Sequence, residues 1–174
     1  EVNKILRDDK VSIIIDDGRR WLRRNTDKNF DLVVMNTTFH FREHITNLVS
    51  FEFLKMCQQR LKKGGVMYWN TTHCPDIVYT ASNVFSNVTT FKGFVAASDS
   101  PFTLDEKTKR LSFLEFKRNG SSIFLKNDKT IKLMNKLIST PLNNIRDSIL
   151  DQNLWLITDD NMASEYKEGV WHKN

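Results

Sequence analysis

The residues of this 174-residue chain whose types could do chemistry collect where short apolar runs end. Asp17-Gly18 follows VSIII (11–15), Asn36-Thr37-Thr38 follows FDLVVM (30–35), and Asn70 and His73 follow VMYW (66–69). The carboxyl ends of parallel strands are where open α/β sheets bind ligands. A carboxylate beside a backbone N–H, as in Asp17-Gly18, suits adenine, whose amino group donates and whose ring nitrogen accepts. The same pair also suits a strand-ending turn that caps a helix. Asn36 carries an amide, which accepts hydrogen bonds but cannot serve as a base near neutral pH. It can equally close its own backbone turn. His40-Phe41-Arg42-Glu43-His44 spells H-x-x-E-H, a zinc-site pattern. Two histidines so spaced hold zinc only from one helix face, and this stretch reads as a polar loop, so no metal is expected. His40 and His44 are read as lining a pocket or facing solvent. His73 faces the same cleft or is an exposed turn residue. Asp159-Asp160-Asn161 lacks the glycine and closing glutamate of an EF-hand and reads as a helix cap.

The elements that must position these residues follow from periodicity. VSIII and FDLVVM read as buried strands, separated by a short helix over 19–24 with Trp21 and Leu22 inward. Residues 36–47 form a loop. Ser50 caps a helix running to about Lys63, with Phe53, Leu54, Cys57 and Leu61 on one face and Gly64-Gly65 as its left-handed stop. VMYWN (66–70) is a third strand, and Pro75 opens a helix buried through Ile77, Val78, Ala81, Val84 and Phe85. This alternation predicts a parallel sheet covered on both faces. Lys92-Gly93 between VTTF (88–91) and FVAAS (94–98) then signals an antiparallel hairpin. Beyond Ser100-Pro101 the chain is more polar. Strands are expected at 111–116, 122–125 and 154–157, with a helix over 130–139.

Bulk properties bound the function. The 174 residues suffice for one domain with a core, and no apolar run reaches the about 18 residues of a membrane span. The net charge is +5, partly from Arg19, Arg20, Arg23 and Arg24, which read as a solvated helix face. No nucleic-acid partner is expected. Cys57 and Cys74 form no ligand cluster and fit a reduced, cytoplasmic setting.

Four segments carry a resemblance: VSIIIDDGRRWL (11–22), FDLVVMNTT (30–38), FLKMCQQRLKKGGVMYWNTT (53–72) and the hairpin at 88–98. In this order they resemble the middle and end of spermidine synthase and its relatives, the polyamine aminopropyltransferases, over residues 3–100. Thr158-Asp159-Asp160-Asn161 is similar to the tail of such domains fused to membrane proteins. The resemblance implies an α/β fold: a partial class I methyltransferase-like (Rossmann-type) sheet ending in an antiparallel hairpin (1–100), with an α+β extension (101–174) packed on it. It implies decarboxylated S-adenosylmethionine or S-adenosylmethionine as cofactor, with Asp17 and Gly18 on the adenine. Asn36 stands where the family has its catalytic aspartate, and Thr37, Thr38 and Asn70 fall toward a small amine substrate. His40 is then the nearest base in sequence. The family's glycine-rich turn and ribose-binding acid have no counterpart here. Its second aspartate falls near Phe39, and its polyamine-contacting loop is reduced to Lys92-Gly93.

The chain is therefore expected to be a fragment, inactive alone, whose intact parent transfers an aminopropyl or related group to an amine. Asn36-Thr37-Thr38-Phe39 is also similar to the Asn-Pro-Pro-Phe/Tyr motif of amino-group methyltransferases, so methyl transfer stays open. So does a non-catalytic binding module that kept the fold. Missing central strands predict self-association. The parent is expected in the cytoplasm, or at the cytoplasmic face of a membrane if fused to a membrane domain.

Overall fold

The computed structural model describes residues 6–36, 41, 44–91 and 93–167. Its first helix, α1 (Gly18–Arg24), begins where Asp17 accepts a hydrogen bond from the Arg20 backbone N–H. Strand β1 (Phe30–Met35) follows, then a 3₁₀ turn (Ile45–Leu48). Helix α2 (Phe51–Gln58) is capped by Ser50, whose hydroxyl accepts from the Phe53 N–H. Strand β2 (Leu61–Asn70), helix α3 (Pro75–Val84) and the hairpin β3 (Asn87–Phe91) and β4 (Phe94–Ser98) complete the sheet layer.

The sheet runs β1-β2-β4-β3. β1 and β2 are parallel, β2 and β4 antiparallel, and β3 and β4 pair as the hairpin expected around Lys92-Gly93. One face is the core. Met67, Trp69, Val88, Val95 and Ala97 meet Phe53, Leu54, Cys57, Ile77, Ala81 and Phe85, all buried. The other face is covered less. Leu32 and Val34 of β1 alternate away from the core and stay exposed, so the expectation of a sheet covered on both faces does not hold there.

VSIII is not a strand. Residues 11–15 join no ladder, and Ile15 is 99% exposed. β-Branched residues favour a strand only where a pleated, half-buried surface receives them, and β1 pairs with β2 alone. α2 also stops earlier than its pattern suggests, because the Arg60 carbonyl accepts from the Phe30 N–H and the chain enters the sheet at Leu61. Gly64 and Gly65 therefore lie inside a bulged stretch of β2. Gly64 is left-handed at φ +79°. A Cβ on Gly65 would stand 2.9 Å from the Lys62 carbonyl oxygen and 3.0 Å from that of Phe30.

Beyond Ser100, the segment read as strand 111–116 is helix α4 (Glu106–Leu114). Asp105 caps it, accepting from the Thr108 N–H at 2.7 Å, and this cap outweighs the β-leaning aromatic content. Asn119-Gly120 turns with both φ positive between two-residue strands β5 (Lys117–Arg118) and β6 (Ser121–Ser122). The expected strand over 122–125 is instead a 3₁₀ turn (Ile123–Leu125). Helix α5 (Asp128–Ser139) carries a full capping box between Asn127 and Thr130. A short helix α6 (Arg146–Leu150) follows. Residues 154–157 are not a strand either. Their backbone docks on side chains: the Trp155 N–H on Asp76 and the Ile157 N–H on the Thr80 hydroxyl. A last 3₁₀ turn spans Ala163–Tyr166.

Candidate functional site

The carboxyl ends of β1 and β2 lie side by side. Met35 pairs in register with Trp69, so Asn36 and Asn70 occupy the next two positions at the same sheet end. Asn70 turns its amide oxygen back to accept from the Thr72 N–H at 2.8 Å. Thr71 holds the hairpin turn, its backbone N–H donating to the Gly93 carbonyl at 2.8 Å. Thr72 and His73 are then both left-handed, at φ +49° and +61°. This conformation costs an L-residue roughly 1–2 kcal/mol, and such strain gathers at functional strand ends. His73 is exposed and lies against the turn, its Nε2 3.2 Å from where a Gly93 Cβ would stand. Sequence reading placed His73 at this end but carried no signal for two consecutive left-handed residues.

Asp17 lines a separate cleft of about 470 Å³ with Arg19, Arg23, His44, Asn47 and Asp159. One Asp17 oxygen caps α1. Gly18 is the first residue of the helix, where backbone N–H groups have no partner within the helix, and no atom lies within 4 Å of where its Cβ would be. The residues present thus fit the edge of an adenine, a donor and an acceptor beside open space. Asp16 is engaged elsewhere: its pairing with Arg20 holds its carboxyl below the usual range.

Arg19 and Asp159 were not foreseen as partners. The Arg19 guanidinium forks onto the Asp159 carboxylate, one arm at 2.8 Å, and also donates to the Asn47 carbonyl at 3.1 Å. Asp159 further accepts from the Ser50 hydroxyl at 2.7 Å. The guanidinium first, then that hydroxyl, holds the Asp159 carboxyl below the usual range. Asp159 is therefore not a helix cap, and Arg19 is not part of a solvated face. Asn161 is the residue that accepts from the Ala163 N–H.

The cleft at Asp17 and the strand ends at Asn36 and Asn70 share no described lining residue. Thr37, Thr38 and His40, which join the two in sequence, lie outside the described residues, as does Glu43. His44 is described, left-handed, and borders the Asp17 cleft. Among the described residues no group of three or more His, Cys, Asp or Glu could hold a metal. Cys57 is no nucleophile, since burial pushes its thiol up to about 12.

The family model of the spermine/spermidine synthase domain matches residues 1–102, which include Asp17-Gly18, both strand ends and the hairpin. The chain belongs to this family. As a spermine/spermidine synthase domain, its mixed α/β sheet is the Rossmann-like, methyltransferase-type one. A polyamine aminopropyltransferase of Agathobacter rectalis is 36% identical over 64 residues, 37% of this chain and 22% of that protein. The alignment thus spans about a fifth of the relative. No helix among the described residues is long and apolar enough to cross a membrane.

Proposed function

We propose that this chain is part of an aminopropyl-transferring protein that takes decarboxylated S-adenosylmethionine as donor and a small amine as acceptor. The observation carrying the reading is that the spermine/spermidine synthase match, over residues 1–102, spans Asp17-Gly18, Asn36 and Asn70. Bound in the Asp17 cleft, the donor supplies an electrophilic carbon on a sulfonium. Asp17 accepts from the adenine amino group, and the Gly18 N–H donates to the ring. Asn36 and Asn70 orient the acceptor amine by hydrogen bonds, and Thr37 and Thr38, next to Asn36 in sequence, are proposed as further substrate-binding residues. Asn36 cannot take the amine's proton, so His40, the nearest imidazole in sequence, takes it.

One observation favours a second reading. An amide stands where the amine's charge would be met, and a non-catalytic binding module would tolerate that. Methyl transfer from S-adenosylmethionine, the remaining reading, has no structural feature in its favour over these two.

The test is aminopropyl transfer by the parent protein, with decarboxylated S-adenosylmethionine and putrescine or spermidine. His40→Ala lowers the rate roughly 100-fold or more, the scale of a lost general base. Asn36→Asp raises it by restoring the charge a cationic acceptor needs. If the parent is inactive and Asn36→Asp gains nothing, the binding-module reading replaces catalysis.

A further inference from the structure

A second cavity, of about 310 Å³, lies largely beyond the family match, between α4, α5 and the tip of the sheet hairpin. Its walls are Phe91, Leu104, Phe113, Phe116, Leu137 and Leu142. Such a volume is at the lower end of the ~300–1,000 Å³ typical of small-molecule sites. Phe124 braces the wall, edge-on to Phe113 at 4.9 Å and to Phe116 at 6.1 Å. The rim is open: Phe116 is 58% exposed, Leu104 54%, Phe91 41% and Leu142 37%. Four large apolar side chains exposed around one cavity mark an interaction site.

The charge around this cavity is in net positive excess. Residues 101–142 carry nine lysines and arginines against four carboxylates, so the whole net +5 of the chain resides in this segment. Lys109 lines the cavity and places its ammonium on the Ile138 and Thr140 carbonyls, at 3.2 and 3.0 Å. Three donors on an ammonium leave one for an anion. On α5, which supplies Leu137, the exposed Lys129, Lys132 and Lys136 recur at i, i+3 and i+7 and share one face.

We propose that the 101–142 segment docks on an anionic lipid bilayer, with one acyl chain in the Phe113–Leu137 cavity and the α5 lysines over the headgroups. An apolar cavity with an apolar rim, in a segment of net charge +5, matches a ligand that is apolar at one end and anionic at the other. Attraction of lysines to acidic bilayers is additive, roughly fivefold in affinity for each near the surface. Neither half suffices alone. An apolar cavity without the lysines would not select acidic lipid, and lysines without the cavity would bind any polyanion.

The test is co-sedimentation of the full chain with vesicles of phosphatidylcholine alone and of phosphatidylcholine with one quarter phosphatidylglycerol, at low and high salt. The expected result is binding to the acidic vesicles only, weakened by salt. Lys129→Gln/Lys132→Gln/Lys136→Gln together lower it about 100-fold, and Phe116→Ser/Leu142→Ser at the exposed rim lowers it at least tenfold with unchanged circular dichroism. Any of four results overturns the proposal: no vesicle binding, equal binding to both vesicle types, indifference to the rim substitutions, or capture of free decanoate or a single-stranded oligonucleotide without vesicle binding.

Discussion

Asp76 is the deepest charged group among the described residues, and removing it should release the C-terminal segment. Its side chain is fully buried in the first turn of α3. One carboxylate oxygen accepts from the Trp155 N–H at 3.1 Å. The other takes the Ser164 hydroxyl and the Lys167 ammonium, each at 2.6 Å. The same ammonium lies 3.8 Å over the Trp155 ring. Asp76→Ala leaves a backbone N–H, a hydroxyl and a cation without their acceptor. Losing one partner of a buried ion pair costs about 3–5 kcal/mol. Lys167 is a third exposed and can regain water, so about 3 kcal/mol is expected. For a chain of this size that is a fall in Tm of roughly 6–12 °C. Urea unfolding followed by tryptophan fluorescence measures the loss, and limited proteolysis should cut first between 150 and 167. The double variant Asp76→Ala/Lys167→Met should cost less than the two single changes added together. A loss under 1 kcal/mol, or strict additivity, would refute the clamp.

Three further outcomes follow from other contacts. Asp159 has its folded pKa depressed by Arg19, so its contribution is present above the unfolded value near ~3.9 and is lost as pH falls through the lower folded value. With solvent screening of this part-exposed pair, Asp159→Asn should cost about 1 kcal/mol at pH 6 and converge with wild type once the pH has fallen below the depressed folded value, in urea titrations. Gly65→Ala should cost roughly 1–3 kcal/mol, because both atoms that its Cβ meets most closely are backbone carbonyl oxygens; an equally stable variant would contradict the bulge geometry. The open edge of β1, with Leu32 and Val34 exposed, should drive self-association; a clean monomer in sedimentation at high concentration would argue against it.

Much of the sheet layer was legible in sequence because its signals were local. Ser50 and Pro75 marked helix starts, and Lys92-Gly93 marked the hairpin. Apolar spacing from Ile77 to Phe85 gave the buried face of α3. VSIII misled because a β-branched run states a preference for a pleated surface, while pairing depends on a neighbour that the run does not encode. The stretch over 111–116 misled because Asp105, six residues upstream, caps a helix that the aromatic run hides. Contacts such as Arg19–Asp159 and Asp76–Ser164 join residues more than 80 apart, and no period or spacing announces them. Asn36 was placed at a strand end because FDLVVM reads as a strand in sequence and forms one, whereas Asp17-Gly18 was placed after VSIII, which forms none.

The central claim is that Asp17-Gly18 is an adenine subsite of a spermine/spermidine synthase domain. Titrating methylthioadenosine into the ¹⁵N-labelled chain tests it most directly. The expected result is saturable binding at the α1 N-terminus. The Gly18 amide should be among the signals that shift, and Asp17→Ala should abolish its response. Shifts confined to other surfaces, or submillimolar binding that survives Asp17→Ala, would contradict it.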